Sequence, residues 1–128
     1  MTQIEQRQTE QLPASPGSRE RIVPKQSVGM PPTAQTFFAV VDASGTLVRK
    51  FHATSSRRLG TGQYEVIFAH DVTGSAYVAS IADTLTGIPL AGEIGVAPRS
   101  GAADGVFVGT WDSTGNFADR AFHLAVHS

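Results

Sequence analysis

From about residue 36 to the C-terminus, short runs rich in β-branched and aromatic residues alternate with Gly, Asp, Asn and Ser turns roughly every 8–12 residues. The runs are FFAVVD (37–42), LVRKFHATS (47–55), QYEVIFAH (63–70), AYVASIA (76–82), EIGVAP (93–98), VFVGTW (106–111) and FADRAFHLAV (117–126). No stretch of ten residues sets apolar groups at three-four spacing ahead of a cap, so no helix is predicted here. Within the runs alternation assigns faces. Tyr64, Val66 and Phe68 share one face, with Glu65, Ile67 and Ala69 opposite. Phe122, Leu124 and Val126 oppose His123 and Ala125. About seven strands in roughly 92 residues predict an all-β fold, an antiparallel β-sandwich.

The turns carry their own chemistry. Asp42-Ala-Ser-Gly45, Asp71-Val-Thr-Gly74 and Asp112-Ser-Thr-Gly115 each begin with a carboxylate that can cap the turn amides and end in a glycine suited to positive φ. The long connection 83–92, DTLTGIPLAG, is expected to cross between sheets and to form the most adaptable surface loop. Residues 38–55 and 107–126 echo each other: Asp42 aligns with Asp112, Gly45 with Gly115, and His52 with His123. Duplication and two hairpins with the same turn both explain the echo, and the two histidines become candidates to meet across a sheet.

Several strands are apolar on both faces: Phe37, Ala39 and Val41 against Phe38 and Val40, and Val106 and Val108 against Phe107 and Trp111. One face fills the sandwich. The other needs a cover, and for so small a domain a further subunit is the economical one.

Residues 1–36 read differently. Five of the seven prolines and no aromatic residue fall in the first 32 positions. Such a segment cannot bury enough apolar surface to offset its ordering entropy. It is expected to be a polar, Pro-rich arm or linker to the domain at 37–128. Its apolar residues Ile22, Val23, Val28 and Met30 are candidate contacts with neighbouring subunits.

Charge is nearly balanced, ten Lys and Arg against eleven Asp and Glu, which gives no general attraction to nucleic acid or an acidic membrane. There is no cysteine, hence no disulfide or thiolate zinc site. No hydrophobic signal core is seen in the first 30 residues, and no apolar run reaches the roughly 18 residues of a membrane helix. The expectation is cytoplasmic synthesis followed by incorporation into a particle.

Motifs for catalysis are missing: no G-x-S-x-G, no S-x-x-K and no phosphate-binding glycine loop. His123 and His127 stand about 13 Å apart along a strand, too far to share one ion, and no Asp turn offers the several oxygens calcium needs. No cofactor, metal or enzymatic activity is expected. Candidate ligand or partner contacts are Trp111 and Tyr77, as sugar-stacking rings, the cations Arg57 and Arg58, and Ile88 and Leu90 of the long loop.

The stretches RLGTGQYEV (58–66) and the GVFV…FHLAV end (105–126), within a match over about 37–128, resemble a small all-β C-terminal domain of actinobacterial and phage tail-fibre-like proteins, a family with no settled activity. The resemblance implies that cysteines often stand where this chain has Ser75 and Ser128, so that this chain lacks a cross-link its relatives can form. The resulting expectation is a non-enzymatic structural protein. It would be a virion or phage-like particle subunit, a capsid-decoration or tail component, homo-oligomeric with a trimer among the candidates. The alternative is a glycan- or cell-surface-binding β-sandwich module.

Overall fold

A computed structural model describes residues 35–128, and the candidate arm contacts Ile22, Val23, Val28 and Met30 lie outside them. The described residues form a sandwich of eight antiparallel strands without a helix. These are β1 (Thr36–Val41), β2 (Leu47–Phe51), β3 (Ala53–Gly60), β4 (Gln63–Phe68), β5 (Ala76–Ile81), β6 (Glu93–Pro98), β7 (Gly105–Trp111) and β8 (Phe122–His127). The first sheet has the order β2-β1-β8-β5 and the second β3-β4-β7-β6.

Alternation builds the core as the sequence predicts. Phe37, Ala39, Val41, Phe122, Leu124 and Val126 from the first sheet meet Tyr64, Val66, Phe68, Val106 and Val108 from the second, all buried. The Tyr64 and Phe122 rings meet edge to face at 5.3 Å. The Tyr64 hydroxyl does not go unsatisfied. It donates to the Ala43 carbonyl at 2.7 Å and accepts the Arg120 N–H at 3.2 Å, as a buried phenol requires.

Two predicted runs are revised. The run 47–55 is broken at His52, which has φ 67°. There the chain leaves the first sheet as β2 and enters the second as β3, and a corner between packed sheets demands such a bend. The run 117–126 is a strand only from Phe122. Residue Phe117 makes a single bridge to Trp111. The reason is topological: β7 already has β4 and β6 on its two edges, so its hairpin partner has no ladder to join and crosses to the first sheet as β8. The 83–92 connection does run from one sheet to the other, from β5 to β6.

The internal echo is therefore an echo of turns. Asp42 Oδ1 accepts the N–H groups of Ser44 and Thr46 at 3.0 and 2.9 Å, and Asp112 Oδ1 those of Thr114 and Asn116 at 2.9 and 3.1 Å. Gly45 and Gly115 follow with φ of 94° and 92°. Beyond the turns the two segments diverge. His52 packs with Phe37, Phe51 and His70 at the sheet corner, whereas His123 sits on the outer face of the first sheet opposite Val40 and Ser80.

These turns make stability acid-sensitive. Hydrogen bonds from Thr73 hold the Asp71 carboxyl below its usual range, those from Gly87 and Leu85 do so for Asp83, and those from Thr114 and Asn116 for Asp112. For Glu65 the Arg99 hydrogen bond lowers the value against burial. For Asp42 and Asp119 burial pushes upward and is outweighed by hydrogen bonds, from Ser44 and from Gly62 foremost. Each folded value lies below its unfolded one, so the contribution is complete above the ordinary carboxylate value of about 4 and is lost as pH falls through the folded values. His123 is also lowered, by burial and then Arg49; its contribution declines as pH falls below about 6.5. Urea midpoints are expected to drop slightly below pH ~6.5 and steeply below pH ~4. A midpoint that stays level down to pH ~2.5 would contradict this assignment.

Candidate functional site

Three surfaces collect the residues that chemistry can use. The first is the outer face of the first sheet. Strand register sets Phe38, Ala125 and Val78 in one row and Arg49, Val40, His123 and Ser80 in the next. Together they line a shallow groove of about 430 Å³. Val40 is buried although it points outward, while Phe38 is exposed and Val78 is 58% exposed. At one end Arg49 Nη1 donates to the Thr84 carbonyl at 2.7 Å, which ties the long loop to this face. The loop then presents Leu85, Ile88 and Leu90 to solvent at 80%, 91% and 64%. Asp83 shapes its first turn by accepting the N–H groups of Leu85 and Gly87 at 3.0 and 2.9 Å. The loop is thus held at its base while its aliphatic side chains project outward.

The second surface is the outer face of the second sheet. Glu65, on β4, joins Arg57 at 2.9 Å and Arg99 at 2.8 Å, with Phe107 half-buried beside it in register. Arg58, next to Arg57 on the edge strand β3, pairs with Asp119 at 3.0 Å. Asp119 also accepts the Gly62 N–H at 2.8 Å, fastening the β7–β8 connection to the β3–β4 turn. The candidate cations are therefore engaged in ion pairs that staple strands and turns together. Further along β7, the Trp111 ring lies against Gly95 and Gly109 and stacks on Phe117 at 5.1 Å and 24°.

The third surface is the end of the sandwich where His52, His70, Asp71, Ser75 and Ser128 line an open groove of about 670 Å³. These are the residue types of a hydrolase, but their bonds go elsewhere. Ser75 Oγ pairs with Ser128 Oγ at 2.7 Å, and Asp71 accepts from Thr73. His70 Nε2 is buried without a hydrogen-bond partner. No serine in this groove is bonded to a histidine, so the contact that activates a nucleophile is not formed. Among the described residues no group of three or more His, Asp and Glu side chains is placed to hold a metal ion. The two positions at which the sequence resemblance implies cysteines, Ser75 and Ser128, are in direct contact.

Of the residues singled out from sequence, Trp111 lies on the second sheet's outer face, Arg57 and Arg58 on its edge strand, and Ile88 and Leu90 on the exposed loop. Tyr77 is packed against the core instead of facing outward, its hydroxyl donating to the Val72 carbonyl at 2.7 Å. Two partners were not singled out. Val78 sits beside Tyr77 on the opposite face of β5, a consequence of the two-residue period that the strand alone makes legible. Phe117 meets Trp111 because both directly flank the Asp112–Asn116 turn, a hairpin relation that its separate strand assignment hid. No protein-family model, no curated protein and no solved structure matches this chain, and its function is read from these three surfaces.

Proposed function

We propose that the chain is a non-enzymatic structural subunit that self-associates through the outer face of its first sheet, as a shell or tail component of a particle does. The observation that supports this reading best is the apolar row Phe38–Ala125–Val78, left open beside a loop whose Leu85, Ile88 and Leu90 project into solvent. Removing such surface from water contributes about 25 cal/mol per Å². A polar margin of Arg49, Ser80 and His123 around an apolar centre is the usual anatomy of an interface. Two of the four sheet edges are guarded against strand addition. Edge strand β2 carries Arg49 and Lys50, and edge strand β3 carries Arg57 and Arg58, charges that discourage strand addition. In this reading the arm adds a second contact along a neighbouring subunit through Ile22, Val23, Val28 and Met30.

Light scattering coupled to size exclusion tests the proposal on the full chain. The unaltered chain is expected to run as an oligomer. Val78→Asp puts a carboxylate on an exposed edge-strand position, so the fold survives, but the charge would be buried at the contact. It is expected to weaken association by at least about 100-fold. A chain that stays monomeric at a concentration on the order of 100 µM, or an oligomer indifferent to Val78→Asp, would sink the proposal.

A further inference from the structure

We infer that the strip around Trp111 on the second sheet is a binding site for a neutral sugar ring, separate from the self-association face. Register places Gln63, Gly109 and Gly95 in one row across β4, β7 and β6, with Glu93 beside Trp111 in the next. A Cβ on Gly109 would fall 2.7 Å from the indole, and one on Gly95 3.5 Å from it. The ring therefore lies along a strip that two glycines leave bare, instead of standing up from the sheet. Phe117, 45% exposed, stacks on the indole as an offset pair, with ring centroids 5.1 Å apart and a tilt of 24°.

The polar neighbours are what give the strip a ligand chemistry. The carboxylates of Asp42, Glu65, Asp71, Asp83, Asp112 and Asp119 are committed to turns and ion pairs. Among the described residues the side chains of Glu93 and Gln63 make no hydrogen bond, and both share the face of the aromatic pair. An aromatic surface bordered by a free carboxylate and a free amide matches a pyranose. Its axial C–H bonds lie on the rings, and its hydroxyls donate to Glu93 and exchange hydrogen bonds with Gln63. The Glu93 charge disfavours acidic sugars and leaves neutral ones. The strip is open and flat, so affinity should be modest, with Kd on the order of 1 mM.

Trp111 is the single tryptophan of the chain, so its emission reports this surface alone. The full-length protein is titrated with cellotetraose, β-1,4-galactobiose and chitotetraose, followed by tryptophan emission and by amide shifts. At least one sugar is expected to give a saturable emission change with amide shifts confined to residues near 93–95, 109–111 and 117. Glu93→Gln, an exposed isosteric change that leaves the fold intact, is expected to weaken that binding roughly tenfold by removing a charged hydrogen-bond acceptor. Phe117→Ala should weaken it as well. The inference is overturned if none of the three sugars moves either signal, if the shifts map to the first sheet, if the emission responds only to protein concentration, or if Glu93→Gln binds as the unaltered chain does.

Discussion

The double substitution Ser75→Cys/Ser128→Cys is expected to form a disulfide spontaneously under mild oxidation and to stabilise the domain by about 2–4 kcal/mol. The two hydroxyl oxygens are 2.7 Å apart, and the residues flank the opposed pair Ala76 and His127 of β5 and β8, Ser75 just before Ala76 and Ser128 just after His127. A sulfur–sulfur bond needs about 2.05 Å, which a small closing of the Ser75 turn supplies. The closed loop spans positions 53 apart in sequence, and constraining a loop of that length in the unfolded chain contributes about 4 kcal/mol at most. Some of this is lost to strain in the folded state. For a domain of this size the oxidised variant should melt on the order of 15 °C above its own reduced form. The reduced form should lie close to the unaltered chain, because only a solvent-exposed hydroxyl pair is exchanged. If the thiols remain titratable after oxidation, the C-terminus and the start of β5 do not meet as described. The same experiment bears on the resemblance that singles out these two positions: it shows whether a cross-link there is compatible with this chain.

Gly62→Ala is expected to destabilise the domain by about 3 kcal/mol, although it adds one methyl group. Gly62 has φ 66°, which costs an L-residue about 1–2 kcal/mol. The added Cβ would also collide with the Thr110 carbonyl oxygen and stand 2.8 Å from the Ala118 nitrogen. Both are backbone atoms in hydrogen-bonded segments, so neither swings aside as a side chain end would; overpacking of this kind costs about 1–3 kcal/mol. The same residue donates to Asp119 and accepts from the Thr110 N–H at 2.8 Å. Its displacement should loosen the β7–β8 connection and change the Trp111 emission through Phe117, which lies 3.1 Å from the added methyl. Gly74→Ala is the matched control. It has no neighbour within 4 Å and no positive φ, so it should be neutral or slightly stabilising, by less than about 1 kcal/mol. Urea midpoints of the two variants decide the matter, and equal midpoints would remove the argument.

The candidate surfaces were legible in unequal degrees. That Phe38 lies opposite Phe37, and Phe107 opposite Val106 and Val108, follows from alternation along single strands, but both faces of these strands are apolar and only the packing decides that Phe38 and Phe107 turn away from the core. That the Asp turns cap themselves follows from residue type, since a short carboxylate reaches its own chain two and four residues on. What Trp111 would rest on did not follow, because Gly95 and Gly109 belong to different strands and only their register brings both beneath one ring. Nor did the fate of Arg57 and Arg58, whose partners Glu65 and Asp119 lie on another strand and on a distant connection.

The sequence by itself determined the all-β class, which residues share a strand face and the chemistry of the turns, because each is a local property of a two-residue period or a four-residue loop. The tertiary structure alone decided where a strand stops. The run at 47–55 is continuous by composition, yet it divides at His52 because the chain changes sheets there. The segment 117–121 reads as strand, yet it forms none because both edges of β7 are already occupied. Strand propensity measures fitness for a ladder, but a ladder needs a free neighbour, and which neighbours are free is settled only when all eight strands are in place.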